Sequence, residues 1–160
     1  FADVGATLGE ALDTVRASVH ALREDSIDLS VQMRKVVADV TAAAPLAVEL
    51  DVRCDRVPPN ACSCLLAVTR EALSNVLRHA AAERVVLRCV EHPGFFQLEV
   101  TDDGTARSAD GTAASTGMGL ASMRERVEAL GGTFRAGPCA DGGWRVFATV
   151  PKGGAGRGEA

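Results

Sequence analysis

The segment "TGMGLASMRERVEALGGTF" (116–134) of this 160-residue chain begins an amphipathic helix on two glycines, Gly117 and Gly119. Glycine has no Cβ, so backbone N–H groups at such a helix start can approach an anion closely, and the helix dipole favours negative charge there. Phosphate is the natural anion. Because glycine is also common at ordinary loop-to-helix junctions, the pattern alone is weak evidence. The small, polar loop 103–116 before it favours a lid over a nucleotide.

A carboxylate ends the preceding apolar run, "FFQLEVTD". Phe96, Leu98 and Val100 alternate as the buried side of a strand, and by that alternation Asp102 points the same way. A carboxylate on the core face needs a hydrogen-bond donor, because an unpaired buried charge is costly. The alternative is a turn residue that bonds its own backbone.

A third group of polar residues follows helical spacing in "REALSNVLRHA". Glu71, Asn75, Arg78 and His79 lie three or four residues apart, which places them on one side of a helix, opposite its apolar face. Most surface helices show such a side, so a solvent-exposed face is the alternative to a binding site.

Strands and helices that position these groups are indicated by hydrophobic periodicity. The predicted order is strand, helix, hairpin, helix, hairpin, which is an α+β arrangement: a two-layer sandwich of a mixed, mostly antiparallel sheet covered on one face by helices. We expect strands at 46–52, 84–90, 95–102 and 144–150 and in "TFRAG", a helix entered at Pro58 and Pro59, and a helix over 119–130. Pro93 and Gly94 predict a type II turn.

Two helices are predicted ahead of this domain. Apolar residues form one stripe along 4–24, and Asp28 or Ser30 can cap a second helix that ends before Pro45. Either both helices pack on the following domain or they belong to a dimerisation bundle. We assign 1–44 to a partial helical dimerisation region and connector, 45–151 to the main domain, and 152–160 to a disordered tail.

Composition excludes several function classes. A formal net charge of -4 without a basic stripe argues against direct nucleic-acid binding. No apolar run approaches the roughly 20 residues that span a bilayer, and no signal peptide is recognisable, so we expect no membrane contact and a cytoplasmic location, although a longer parent protein could be membrane-anchored. The five cysteines lack the spacing of zinc sites and are expected to be free, buried or half-buried thiols.

Taken in order, these segments resemble the ATP-binding catalytic domain of the bacterial two-component sensor histidine kinases, in the superfamily that includes gyrase, Hsp90 and MutL. "REALSNVLRHA" is similar to the N box of that family, "DDGTA" to its first glycine box, "TGMGL" to its second, and "GGWRVFATVP" to its closing strand. The resemblance covers about 45–151. "VRASVHALREDSIDL" is similar to the second bundle helix and connector of the subfamily whose partners are response regulators with a DNA-binding helix-turn-helix domain.

The resemblance implies the roles of the site residues. The adenine side would be formed by Asp102, which accepts a hydrogen bond from the adenine amino group, and by Gly104, which lets the base approach. Asn75 would help hold Mg²⁺, with Glu71 nearby as a water-orienting or acidic group. The remaining cofactor-binding residues would contact phosphate or ribose or shape the phosphate loop and lid: Arg78, His79, Gly117, Gly119 and Leu120.

Activity and partners follow from the same resemblance. The domain would bind MgATP and transfer the γ-phosphoryl group to a histidine on a bundle helix, which we expect ahead of Phe1, so this chain would lack its own phosphoacceptor. The parent would be a homodimer and would phosphorylate a helix-turn-helix response regulator.

Two positions depart from the family pattern. Ala106 stands where a second glycine is usual, and Trp144 where a small or hydroxyl residue is common. The alternatives are an anti-sigma-factor serine kinase and a degenerate module of the same fold that only binds proteins.

Overall fold

A computed structural model of the chain describes residues 27–42, 44–79, 81–104, 117–140 and 142–152. The predicted helix over 4–24, most of the loop 103–116 including Ala106, and the tail from 153 lie outside these residues. The strands are β1 (Ile27–Asp28), β2 (Ala47–Arg53), β3 (Arg56–Val57), β4 (Arg84–His92), β5 (Phe95–Asp102), β6 (Thr133–Pro138) and β7 (Trp144–Pro151). The helices are α1 (Leu29–Thr41), α2 (Pro59–His79) and α3 (Gly117–Ala129).

Five strands form one mixed sheet in the order β2-β4-β5-β7-β6. Only the β2–β4 pair within it is parallel, which α2 makes possible by connecting the two strands. The other neighbours pair antiparallel, and β1 and β3 form a separate two-stranded sheet. This confirms the predicted α+β fold with a mixed, mostly antiparallel sheet.

Strand residues alternate between a buried and a half-exposed face. Along β5, Phe96, Leu98 and Val100 are buried, whereas the residues between them are half-exposed. The buried face meets the helices, because α2 contacts β5 and β7 and α3 contacts β6 and β7. The helices therefore cover one face of the sheet, as the sequence predicts.

Helix α1 begins where the sequence predicts a cap. The Asp28 carboxylate accepts hydrogen bonds from the backbone N–H groups of Ser30 (3.1 Å) and Val31 (3.4 Å), which satisfies two donors of the first turn. Leu29, Met33 and Val36 are buried, and α1 packs against α2. This helix packs on the following domain; the assignment of 1–44 to a partial dimerisation region and the boundary at 44–45 stay predictions.

The hairpin of β4 and β5 has the predicted turn. Gly94 has φ +97°, as the third residue of a type II turn requires, and β4 extends to His92, which pairs with Phe95.

Helix α3 starts at Gly117 instead of 119, because both glycines lie inside its first turn. It ends in a Schellman motif, in which Gly132 N–H bonds the Val127 carbonyl and Gly131 N–H that of Glu128.

The thiol prediction is confirmed. All five cysteines are free. Cys62, Cys64 and Cys89 are buried, and Cys54 and Cys139 are half-buried.

Candidate functional site

Asp102, the last residue of β5, faces the helical layer and is 4% exposed. Its Oδ1 accepts a hydrogen bond of 2.8 Å from the backbone N–H of Gly104, itself buried. The turn bond that the sequence left as an alternative is therefore present. A carboxylate accepts up to about four hydrogen bonds, so this bond is compatible with a donor from a ligand.

Sequence reasoning missed Gly143 as a site residue. It precedes β7, has φ +89°, and a Cβ added to it would overlap the backbone carbonyl oxygen of Asp102. A side chain here would thus push the carboxylate-bearing end of β5 out of place. The glycine pair before "WRVFATV" was a signal, but only the β5–β7 register, which sets Trp144 opposite Asp102, shows what that pair touches.

The neighbouring carboxylate, Asp103, binds backbone N–H groups at the start of another strand. Asp103 accepts hydrogen bonds from the backbone N–H groups of Glu83 (2.9 Å) and Arg84 (3.1 Å). These bonds hold the pKa of Asp103 below its ordinary value, because they stabilise the charged form. The bond from Arg84 has the larger effect. Asp103 therefore ties the start of β4 to the end of β5, close behind Asp102.

On α2, three of the predicted residues contact one another. Arg78 Nη2 donates to Asn75 Oδ1 at 2.7 Å and lies 3.4 Å from Glu71 Oε2. The guanidinium thus bridges an amide oxygen and a carboxylate. Asn75 is only 7% exposed, so the solvent-exposed alternative does not describe this residue. The side chain of His79, which ends α2, lies outside the described part.

The first turn of α3 lies against this cluster. A Cβ added to Gly119 would stand 2.5 Å from Glu71 Oε2 and 3.3 Å from its Cδ. Glycine therefore lets the helix start approach the Glu71 carboxylate closely; the role of Gly119 in a phosphate loop stays a prediction. Gly117 is the first residue of the helix. Leu120 is half-buried and packs on the hydrophobic core, which fixes this turn to the domain.

The α2 cluster fits a magnesium ion bound together with phosphate. Mg²⁺ prefers oxygen ligands and usually takes one or two from the protein and the rest from phosphates and water. Asn75 Oδ1 and Glu71 Oε2 are such oxygens, and a cation, the Arg78 guanidinium, already lies between them. Within the described residues, no set of three His, Cys, Asp or Glu side chains converges to hold a metal without such help.

A further concavity lies away from these residues. A depression of about 650 Å³ lies on the face of the sheet that the helices leave open, lined among others by Glu99, Thr101, Arg135, Arg145 and Phe147. None of the residues with predicted roles lines it. The candidate site is therefore the buried edge formed by Asp102 and Gly104 together with the α2 cluster.

Comparison with protein families agrees with this geometry. Residues 63–154, more than half of the chain, match the family described as histidine kinase-, DNA gyrase B-, and HSP90-like ATPases. The chain belongs to this family. Within it, the curated proteins that the chain resembles are sensor kinases, so the predicted membership of the histidine kinase ATPase domains is confirmed.

Two relatives illustrate the match. The chain is 29% identical over 119 residues to the sensor protein VraS of Staphylococcus saprophyticus, which covers 74% of this chain and 34% of that protein. It is 27% identical over 146 residues to the sensor histidine kinase YxjM of Bacillus subtilis, covering 89% and 35%. The chain thus spans about a third of the length of these relatives.

Solved structures show the same fold. The histidine kinase domain from the blue-light activated histidine kinase of Erythrobacter litoralis EL346 superposes with a TM-score of 0.69 at 20% identity, over 82% of this chain and 64% of that one. The ATP binding domain of PrrB from Mycobacterium tuberculosis superposes with a TM-score of 0.62 at 21% identity, over 79% of this chain and 95% of that one.

In the described part of the chain, no helix has the length and apolarity to span a membrane.

Proposed function

We propose that this domain binds MgATP at the edge of the sheet and donates the γ-phosphoryl group to a histidine of a helical bundle, as the catalytic part of a sensor histidine kinase. The observation that carries the proposal is the nearly buried Asn75, whose amide oxygen faces the Arg78 guanidinium beside a carboxylate oxygen of Glu71. A solvated helix face would not bury an amide against a guanidinium.

The adenine end would be read by Asp102. The exocyclic amine of adenine is a hydrogen-bond donor, and a buried carboxylate selects a donor over an acceptor. Gly104, buried beside it, would let the base approach because it has no side chain. The first turn of α3, with Gly117 and Gly119, would direct backbone N–H groups at the phosphates.

On α2, Asn75 would hold the magnesium ion, and Arg78 would leave Asn75 for a phosphate oxygen. Magnesium, when bound, supplies charge neutralisation at the phosphates. Glu71 would orient water or act as an acidic group, and His79 would reach phosphate or ribose. Phosphoryl transfer forms a bond from the γ-phosphorus to an imidazole nitrogen and breaks its bond to the bridging oxygen of ADP, so positioning is the main task of these groups.

The partners proposed for the full-length parent are a second copy of itself and a response regulator with a helix-turn-helix domain. We propose a cytoplasmic location for this domain. These proposals rest on the similarity of "VRASVHALREDSIDL" to the subfamily that pairs with such regulators.

Calorimetric titration with ATP and a non-hydrolysable analogue, with and without Mg²⁺, tests the proposal. We expect magnesium-dependent binding that Asp102→Asn weakens by roughly 10- to 100-fold, because the amide loses one acceptor oxygen and the charge on it. Glu99→Gln, on the opposite face of the same strand, is the matched control and should bind as the parent does. Trp144, the single tryptophan, lies opposite Asp102 and offers fluorescence as a second readout.

A folded protein that binds no nucleotide would contradict the proposal. It would favour the interaction module, and Ala106→Gly and Trp144→Ser would then show whether the departures from the family pattern caused the loss.

A further inference from the structure

Two thiols meet at the edge of the core, away from the candidate nucleotide site. Cys54 directly follows β2 and Cys89 lies within β4, and their Sγ atoms are 3.6 Å apart. The two strands run parallel, with Val52 opposite Cys89 and Arg53 opposite Val90, so the sheet itself holds the pair together. A disulfide requires about 2.05 Å between the sulfurs, so forming the bond must bring them about 1.5 Å closer.

We propose that Cys54 and Cys89 form a reversible intramolecular disulfide when a hydroperoxide oxidises Cys54. The site is independent of nucleotide binding, because none of the residues assigned to ATP takes part in it.

The two thiols have unequal access to an oxidant. Cys54 is half-buried and thus reachable from solvent, whereas Cys89 is fully buried. The charged groups that act on Cys54 are Glu91, Lys152 and Asp55. Glu91 is itself paired with Lys152 (2.6 Å) and accepts a hydrogen bond from the Asp55 backbone N–H (3.2 Å). A small peroxide can therefore reach Cys54 first.

The same contact differentiates the two sulfurs chemically. The hydrogen bond between the two thiols lowers the pKa of Cys54, and the charge of Lys152 acts in the same direction. Burial and the charges of Glu91 and Asp55 oppose this shift. That hydrogen bond, followed by burial, raises the pKa of Cys89. Cys54 is thus the thiol that ionises and attacks, and Cys89 keeps its proton until the second step, since the thiolate is the nucleophile.

The reaction balances with one peroxide. The Cys54 thiolate attacks one oxygen of hydrogen peroxide, the O–O bond breaks, and the products are the Cys54 sulfenic acid and hydroxide, which takes up the proton released from Cys54 to give water. The Cys89 sulfur then attacks the Cys54 sulfur, and the hydroxyl group leaves with the Cys89 proton as a second water. Two thiols lose two electrons and the peroxide gains them.

Other cysteines fit this chemistry less well. Burial raises the pKa values of Cys62 and Cys64 on α2, which disfavours their thiolates. Cys139 is half-buried and precedes the β6–β7 turn, where its backbone bonds Gly143. It therefore serves as an accessible control thiol on a different part of the domain.

The bond would close a loop that contains all of α2, since the two cysteines are 35 residues apart. A crosslink over that length restricts the unfolded chain, so we expect the oxidised form to melt roughly 5–15 °C higher than the reduced form. The stabilisation should disappear on reduction.

The test treats the reduced protein with stoichiometric hydrogen peroxide, alkylates it under denaturing conditions and maps the peptides without reduction. We expect a crosslinked Cys54–Cys89 peptide, two fewer alkylated thiols, and the rise in melting temperature, all reversed by dithiothreitol. Cys54→Ser should abolish all three, whereas Cys139→Ser should leave them intact. Cys89→Ala should leave a Cys54 sulfenic acid that a dimedone probe traps.

Two results would overturn the proposal. One is oxidation of Cys54 to sulfenic or sulfinic acid in the parent protein without a crosslink to Cys89. The other is a crosslinked peptide that joins a different pair. Both are read on the unsubstituted chain, so they remain decisive even if replacing the buried Cys89 prevents folding.

Discussion

The two halves of the candidate site are held in place by different kinds of contact. At the end of β5, Asp102 is fixed by backbone: its Oδ1 bonds Gly104 N–H, and Gly143 packs against its carbonyl oxygen. On α2, Asn75 and Glu71 are held by one side chain, the guanidinium of Arg78. The first half cannot move without moving strands, whereas the second can rearrange by rotating side chains.

This difference suits the two ligand parts that the proposal assigns to them. A flat base is recognised by shape and by one donor, which a rigid edge provides. In the proposed complex Arg78 would leave Asn75 and Glu71. Its ion pair with Glu71 joins side chains 54% and 35% exposed and costs about 0–1 kcal/mol to break. A rigid edge at the proposed base end and exchangeable side-chain contacts at the proposed phosphate end are thus compatible within one domain.

Two glycines of one turn allow the contribution of the contact at the end of β5 to stability to be measured. Both have φ near +90°, but a Cβ on Gly142 meets nothing within 4 Å, whereas one on Gly143 overlaps the Asp102 carbonyl. We expect Gly142→Ala to destabilise the domain by about 1 kcal/mol, because its positive φ strains an alanine backbone. Gly143→Ala adds the overlap with the Asp102 carbonyl to the same strain, so we expect a loss of about 3 kcal/mol. Urea unfolding measures both. Equal losses would show that the contact with Asp102 contributes nothing.

The α2 cluster is tested by its magnesium dependence. Asn75→Ala removes the oxygen that Arg78 now holds, so we expect roughly 10-fold weaker MgATP binding and an affinity ratio with and without magnesium close to one. Ser74→Ala, the adjacent position on the same helix, is the matched control. An unchanged ratio in Asn75→Ala would remove this residue from the metal role and leave the α2 cluster a structural contact.

The sequence predicts contacts within one helix or strand of the candidate site better than contacts between elements. Alternation along β5 predicts the buried Asp102, and helical spacing predicts that Arg78 can reach Asn75, because both depend on local geometry. Packing between elements was not predictable: that α3 approaches α2 closely at Glu71 follows only from the fold. The contacts of Gly143 and the Cys54–Cys89 pair likewise depend on strand register, which no spacing in the sequence encodes.

A smaller effect is expected where α3 meets the α2 cluster. The Cβ of Gly119→Ala would displace only the end of the flexible Glu71 side chain, and alanine favours a helix by about 1 kcal/mol over glycine. Stability should therefore change by less than about 1 kcal/mol while MgATP affinity falls. Gly132→Ala, whose Cβ would overlap the backbone carbonyl of Thr149, is the contrasting control and should unfold more readily. A large stability loss in Gly119→Ala would show that this half is as rigid as the other.

The smallest effect concerns Asp103, which belongs to the backbone-fixed half but lies at its exposed margin. Its pKa is lowered in the folded state by the N–H groups of Arg84 and Glu83, so it stabilises the fold above the ordinary aspartate pKa and loses that contribution as the pH falls through its folded value. Asp103→Asn should accordingly be slightly less stable than the parent at neutral pH, and the difference should narrow below about pH 4. Urea unfolding at pH 7 and at pH 3 checks this, with Asp51→Asn on β2 as the control. A stability difference that is the same at pH 7 and pH 3 would mean that the contribution of these two backbone bonds does not depend on the charge of Asp103.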